Sequence, residues 1–140
     1  MHKHTLLLGI DFGINTWGIA IGNLLTKTAT EHTALKVRNG QATLGQIQEL
    51  IQKWHFDAVV IGLPLNMDGT DQPLTKKVRS SARWLELKTG LPVYFQDERL
   101  STIEAKARLF DVGGYRALKK EKIDSLSAKL ILEDWLNSPQ

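Results

Sequence analysis

The 140-residue sequence predicts one α/β domain in which helices flank a five-stranded mixed sheet. Three closely spaced strand patterns open the chain, which indicates a three-strand antiparallel meander. Helix and strand patterns then alternate, as is typical of two further, parallel strands joined by helical crossovers. No repeat, low-complexity tract or linker interrupts the sequence, so we expect a single domain over residues 1–140.

The predicted meander occupies the first quarter of the chain. Residues 5–11 contain a continuous apolar run, which is typical of a buried strand. Residues 16–22 alternate bulky apolar residues with glycine and alanine, which predicts a second strand. A polar, threonine-rich third strand over residues 28–37 is expected at an edge of the sheet.

The remaining elements alternate between helix and strand. They are a helix over 42–54, a strand from Asp57, a helix over 73–89, a strand in "LPVYFQDE", a helix from Thr102 and a helix over about 119–136. Ser101 and Glu104 have the spacing of a capping box, which places the start of the helix at Thr102.

The last helix is predicted to be amphipathic. Asp124, Ala128 and Ile131 are spaced i, i+4 and i+7, so they share the face that we expect to pack on the sheet. Ser125 and Lys129 fall on the face predicted to be solvated.

Composition indicates a cytoplasmic protein without membrane association. The chain has no cysteine, which excludes a disulfide framework and a cysteine zinc site. The apolar run Leu6 to Ile10 is shorter than the ~7–15 residues of a signal-peptide core. No apolar run approaches the ~20 residues of a membrane span.

Basic residues are clustered, although the net charge is only +3. Residues 76–88 contain five basic residues and one acidic residue, and residues 106–122 contain six and two. Such clusters bind phosphate groups, but they are equally typical of solvated helix faces. The predicted nucleic-acid contacts are Lys76, Arg79, Arg83, Arg99, Lys119 and Lys120.

Acidic residues follow core elements at three places. Asp11 follows the first strand, Asp97 and Glu98 follow the fifth, and Asp124 lies near the start of the last helix. A turn, an ion pair or a helix N-terminus would explain any one of them alone. Spacing does not choose between Asp97 and Glu98.

Three converging carboxylates would require a cation. Two unit charges 4 Å apart repel by about 4 kcal/mol at an effective dielectric of 20, and a domain of this size is stable by only ~5–15 kcal/mol. Carboxylate ligands without thiols or paired histidines favour Mg²⁺ or Mn²⁺. Such ions keep positions open for phosphate oxygens, so we predict phosphodiester chemistry.

Four motifs carry a family resemblance: "GIDFGINTWGIAIG", "VVIGLPLNMDGT", "FQDERLST" and "KKEKIDSLSAKLILEDWL". With them the chain resembles, over nearly its whole length, the YqgF family of ribonuclease H-like proteins. The resemblance implies a metal-dependent nuclease whose acidic residues are Asp11, Glu98 and Asp124, with Glu98 preferred over Asp97 on the family pattern. We expect these three residues to be both catalytic and metal-binding, with two ions bound.

The resemblance also draws attention to a loop and to two departures. "NMDGT", with Asn66 and Asp68, is predicted to form a mobile loop over the cleft, or alternatively a simple glycine turn. Trp17 stands where the family usually has a basic residue, and Asn23 stands where it often has aspartate. Trp17 therefore removes a possible phosphate contact, and Asn23 keeps an oxygen ligand without its charge.

The resemblance implies processing of the 5′ end of pre-16S ribosomal RNA, with structured RNA and ribosomal precursor particles as partners. A Holliday junction resolvase acting on branched DNA is the alternative enzyme, and a ribosome-assembly module that binds without cleaving is the non-enzymatic one. An actin-like ATPase is disfavoured because 140 residues make only one of its two lobes. We expect a monomer or a weak homodimer.

Overall fold

The computed structural model describes residues 6–97 and 120–138, and it confirms the predicted five-stranded mixed sheet. The strands are β1 (Leu6–Asp11), β2 (Thr16–Asn23), β3 (Thr28–Lys36), β4 (Ala58–Leu63) and β5 (Val93–Asp97). Their order is β3-β2-β1-β4-β5, so the polar third strand lies at an edge as predicted. β1, β2 and β3 are antiparallel neighbours, and β4 pairs in parallel with both β1 and β5.

Three helices lie in the described parts of the chain: α1 (Leu44–Trp54), α2 (Pro73–Thr89) and α3 (Lys120–Asn137). The helix predicted from Thr102 lies outside the described residues. Within residues 6–97 and 120–138, no helix combines the length and apolar character that a membrane crossing requires.

One face of the sheet, which we call the α1–α2 face, packs large side chains against those two helices. The main contributors are Leu8, Ile10, Trp17, Ile19, Val59 and Ile61 from the sheet, and Ile47, Val78 and Leu85 from the helices. Trp17 is fully buried, and its Nε1 donates to the carbonyl oxygen of Gly40 at 3.1 Å. Trp17 is therefore a core residue, because its ring fills this face.

The opposite face, which we call the α3 face, is built from smaller residues. Leu7, Ala20, Ala58 and Val60 pack there against Ala128, Ile131, Leu132 and Leu136 of α3. A Cβ atom added at Gly9 would lie 2.4 Å from Leu132 Cγ, and one at Gly22 would lie 3.2 Å from Leu132 Cδ1. The helix therefore approaches the sheet closely, with Leu132 seated over two glycines.

The prediction that Ser125 lies on a solvated face was wrong. Ser125 is buried, and its Oγ donates to the carbonyl oxygen of His32 at 2.7 Å. Ser127 and Leu130 are buried as well, so burial extends around most of this part of α3. The helical spacing was misleading because α3 crosses the sheet and contacts β3 as well as the central strands.

Candidate active site at the carboxyl edge of the sheet

β1, β4 and β5 end at the same edge of the sheet, which we call the carboxyl edge. Ile10 of β1 lies beside Ile61 of β4, which lies beside Phe95 of β5. Neighbouring strands are about 4.8 Å apart, so the ends of β1 and β5 are about 10 Å apart. Open α/β sheets bind ligands at the carboxyl ends of their parallel strands, and this edge is therefore the candidate site.

Asp11 is the last residue of β1 and lies at this edge with only 9% of its surface exposed. Strand alternation places it on the α3 face with Leu7 and Gly9. The turn that follows is tight, because a Cβ at Gly13 would lie 2.4 Å from the carbonyl oxygen of Thr16. The chain therefore holds a carboxylate in a buried position at the end of its central strand.

The register of β5 separates Asp97 from Asp11. Asp97 pairs with Leu63, and alternation places it on the α1–α2 face with Val93 and Phe95. Asp11 lies on the α3 face, so the sheet stands between the two carboxylates. This arrangement argues against Asp97 as a partner of Asp11. Glu98 lies outside the described residues.

The backbone of α3 begins at the carboxyl edge. Ser125, near its start, contacts His32, which pairs with Ile19 on β2. Leu136, near its end, lies by Gly22 towards the opposite edge. The backbone of Asp124 is therefore in the part of α3 that starts at the same edge as Asp11, and its side chain lies outside the described residues.

The predicted ligand set of Asp11, Glu98 and Asp124 stays a prediction. Among the described side chains, no group of three His, Cys, Asp or Glu residues could hold a metal ion. Two of the three predicted ligands are not among those side chains. The donor set would be carboxylate oxygen throughout, which fits Mg²⁺ or Mn²⁺ rather than a soft metal.

The site loop, residues 64–72, joins β4 to α2 at the carboxyl edge. Asn66 Nδ2 donates to Thr70 Oγ1 at 3.0 Å and to the carbonyl oxygen of Asp71 at 3.1 Å. Asp68 Oδ1 accepts from the backbone N–H and the hydroxyl of Thr70. Asn66 and Asp68 therefore build the turn itself, as the glycine-turn alternative predicted. Met67 lies between them and is 68% exposed, and no pattern in the sequence singles it out.

The described basic candidates lie on the solvent side of α2. Lys76, Arg79 and Arg83 are exposed, and Arg79 Nη2 lies 3.0 Å from Asp71 Oδ1. Arg79 and Arg83 also line a cavity of about 250 Å³ between α2 and β5. The other basic candidates are not described at side-chain level: Arg99, Lys119 and Lys120.

Asn23 lies at the opposite edge, which we call the amino edge, where it pairs with Leu6 at the start of β1. Its Oδ1 accepts from the backbone N–H groups of Leu25 and Thr26 at 2.9 and 3.2 Å. Asn23 thus shapes the β2–β3 turn and is remote from Asp11. Its oxygen therefore has a structural role in this turn.

A family model and two named bacterial proteins match nearly the whole chain. Residues 5–138 match the family model RuvX, described as Holliday junction resolvase. A protein of Haemophilus ducreyi named "Putative pre-16S rRNA nuclease" is 49% identical over 134 residues, covering 96% of this chain and 97% of its own length. A protein of the same name from Sodalis glossinidius is 50% identical over 130 residues, covering 93% and 92%.

Solved structures share the fold at low sequence identity. RuvC of T. thermophilus in complex with a Holliday junction substrate has a TM-score of 0.53 at 19% identity, covering 95% of this chain and 94% of that one. The Fowlpox virus Holliday junction resolvase has a TM-score of 0.55 at 14% identity, covering 96% and 99%. These similarities bear out the predicted ribonuclease H-like fold.

Proposed function

The chain belongs to the RuvX family, and from that premise we propose that it is a metal-dependent endonuclease that hydrolyses phosphodiester bonds in nucleic acid. Its proposed role is processing of the 5′ end of pre-16S ribosomal RNA in the cytoplasm. The proposed partners are structured RNA and ribosomal precursor particles, bound by a monomer or a weak homodimer. The role in RNA processing is supported by the names of relatives that are half identical over nearly the full chain.

The buried carboxylate of Asp11 is the structural observation that supports this proposal most strongly. A carboxylate with 9% exposure at the end of the central strand is costly to keep ionised unless a cation or hydrogen-bond donors face it. The fold places this group where parallel strands end and where α3 begins. A cation bound at this edge would neutralise the carboxylate of Asp11 and would bind a phosphate group beside it.

The proposed ligands are Asp11, Glu98 and Asp124, which would hold two Mg²⁺ or Mn²⁺ ions. The bound metal supplies Lewis-acid stabilisation of the phosphate and an activated water. Strand alternation supports the choice of Glu98, because it leaves Asp97 on the wrong face for Asp11. Lys76, Arg79 and Arg83 of α2 are proposed to contact backbone phosphates, which positions the nucleic acid without reading its sequence.

A Holliday junction resolvase is the second candidate, favoured by the description of the family model. Resolution of a four-way junction requires two cuts, so this function predicts a dimer with two active sites. A binding module without turnover is the non-enzymatic candidate.

The deciding experiment is a cleavage assay that offers structured pre-16S RNA, single-stranded RNA and four-way DNA junctions side by side. We expect cleavage of the structured RNA in Mg²⁺ and none after chelation with EDTA. Preferential cutting of four-way DNA would support the resolvase. Binding to all three substrates without cleavage in Mg²⁺ or Mn²⁺ would contradict the nuclease and support the binding module.

Asp11→Asn tests the proposed catalytic carboxylate, with Asp57→Asn as its matched control. Loss of one member of a catalytic set costs about 10⁴-fold or more in kcat, so we expect Asp11→Asn to abolish cleavage while the protein remains folded. Asp57 lies at the amino edge, where its Oδ2 accepts from the backbone N–H of Leu6 at 3.2 Å. Asp57→Asn should keep cleavage, and equal activity in both variants would refute the role of Asp11.

A further inference from the structure

The site loop is anchored firmly at its base. Thr75 of α2 is fully buried, and its hydroxyl donates to the carbonyl oxygen of Pro64 while it accepts from the backbone N–H of Gln72 at 3.0 Å. Leu65 and Asp71 form an isolated β-bridge that closes the loop. Both ends of the loop are thus attached to the start of α2 and to the end of β4.

The tip of the loop is held by its own hydrogen bonds. The backbone N–H of Asn66 donates to the carbonyl oxygen of Thr70 at 2.8 Å. The backbone N–H of Gly69 donates to the carbonyl oxygen of Asn66, also at 2.8 Å. The amide of Asn66 and the Oδ1 of Asp68 also bond within the loop. The polar side chains of the tip therefore serve the turn.

Met67 lies at the tip of the site loop, and 68% of its surface is exposed. Single exposed apolar residues are ordinary on protein surfaces, so exposure alone carries no conclusion. Met67 lies in an anchored turn at the carboxyl edge, five residues after Gly62. Gly62 directly follows Ile61 on β4, and Ile61 pairs with Ile10 of β1. Five residues span at most about 17 Å, which corresponds to about five base steps along one strand. A nucleic acid whose phosphate lay at Asp11, and which ran from there towards the site loop, would come within reach of Met67.

We infer that Met67 packs against an unstacked base of the bound nucleic acid, within about five nucleotides of the phosphate at Asp11. This inference rests on the proposed function, because it requires nucleic acid at the carboxyl edge. A thioether side chain offers a polarizable, apolar surface that suits the face of a base and not a charged phosphate. Contact with a base face is insensitive to base identity. The substrate class is then nucleic acid with unpaired bases beside the cleavage site, in preference to continuous duplex.

The test compares Met67→Ala with Met67→Leu and with Leu25→Ala. Leu25 is 74% exposed in the β2–β3 turn at the amino edge, so its truncation is a matched loss of exposed apolar surface away from the site. Binding is measured with EDTA present, to an RNA whose unpaired segment carries 2-aminopurine and to a fully paired RNA of the same length. The fluorescence of 2-aminopurine reports stacking of the labelled base.

We expect Met67→Ala to bind the RNA with unpaired bases about fivefold more weakly, at the low end of base-stacking effects, and to lose the fluorescence change. Its affinity for the paired RNA should be unchanged, and Met67→Leu and Leu25→Ala should resemble the parent protein. Unchanged binding and fluorescence in Met67→Ala, or an equal loss of affinity for both RNAs, would overturn the base contact.

The two proposals fail in different ways. If the parent protein cleaves RNA and Met67→Ala changes neither binding nor fluorescence, the base contact is wrong and the nuclease stands. If Met67→Ala shows the selective binding defect while the parent protein never cleaves, the base contact stands and the nuclease is wrong.

Discussion

The two faces of the sheet are packed in different ways. The α1–α2 face contains bulky side chains, such as Trp17, Ile19 and Ile61, and two helices cover it. The α3 face contains glycine and alanine at corresponding positions on the same strands, and among the described elements it is α3 that lies close against it. Large side chains fill space and add stability, whereas small ones allow a backbone to approach.

The difference indicates a division of roles between the faces. The buried acid Asp11 belongs to the α3 face, and α3 begins at the same edge. Leu132 of α3 lies over Gly9 and Gly22, and we expect this fit to set the position of α3 along the sheet. We therefore expect the core packing of the α1–α2 face to control stability, and that of the α3 face to control both stability and the geometry around Asp11.

Leu85→Ala is the largest perturbation of stability that we propose and tests the α1–α2 face. Leu85 is fully buried on α2, so its truncation should lower the free energy of unfolding by about 2–5 kcal/mol. Urea denaturation measures that loss. Cleavage per folded molecule, assayed well below the denaturation midpoint, should equal that of the parent protein. A matching loss of cleavage would mean that the two faces are not separable.

Gly9→Ala tests the α3 face with a smaller change in stability. The added methyl would lie 2.4 Å from Leu132 Cγ, so α3 must shift or Leu132 must repack, at about 1–3 kcal/mol. We expect cleavage to fall about 100-fold, because displacement of a catalytic group by ~1 Å has effects of that size.

A double-mutant cycle identifies the cause of the Gly9→Ala effect. In a protein that already carries Leu132→Ala, the methyl group added by Gly9→Ala enters the space left by the leucine side chain. Gly9→Ala should therefore lower the free energy of unfolding much less in that protein than in the parent. The expected coupling is about 0.5–3 kcal/mol, measured by urea denaturation of the four proteins. Additive losses would show that Leu132 does not set the position of α3.

Ser127→Ala should have the smallest effect, and of opposite sign. Ser127 is fully buried on α3, and its Oγ has no hydrogen-bond partner among the described residues. Removal of this hydroxyl should raise the free energy of unfolding by about 1 kcal/mol. Ser125→Ala is the control, because it deletes the bond to His32 and should lower stability by a similar amount. A destabilised Ser127→Ala would point to a polar role for that hydroxyl.

The strands and the helices α1 and α2 were predictable because their local patterns agree with their burial. The predicted bounds of α2, residues 73–89, match the structure, since Pro73 opens the helix and Gly90 closes it with a positive φ of 72°. The solvated face of α3 was predicted wrongly at Ser125. Helical spacing reports on one packing partner, and this helix is buried on more than one side.

The candidate site was predictable in part. The position of Asp11 after an apolar strand was sufficient to select it, and the structure places it buried at the carboxyl edge. The face on which Asp97 lies could not be predicted from spacing, because it depends on the register of β5 against β4. The close packing of Leu132 on Gly9 was also not predicted, because it too depends on a contact between distant parts of the chain. A glycine within a strand signals close approach, but the approaching residue lies more than a hundred positions away.

The long separation between α3 and its strands has a consequence for biosynthesis. Ser125 contacts His32, and Leu132 covers Gly9, so α3 completes contacts with strands that are synthesised about a hundred residues earlier. Domains begin to fold from the N-terminus during translation, and contacts between distant segments form late. A nascent chain that lacks α3 also lacks Asp124, so we expect the proposed activity to appear only after α3 has been synthesised.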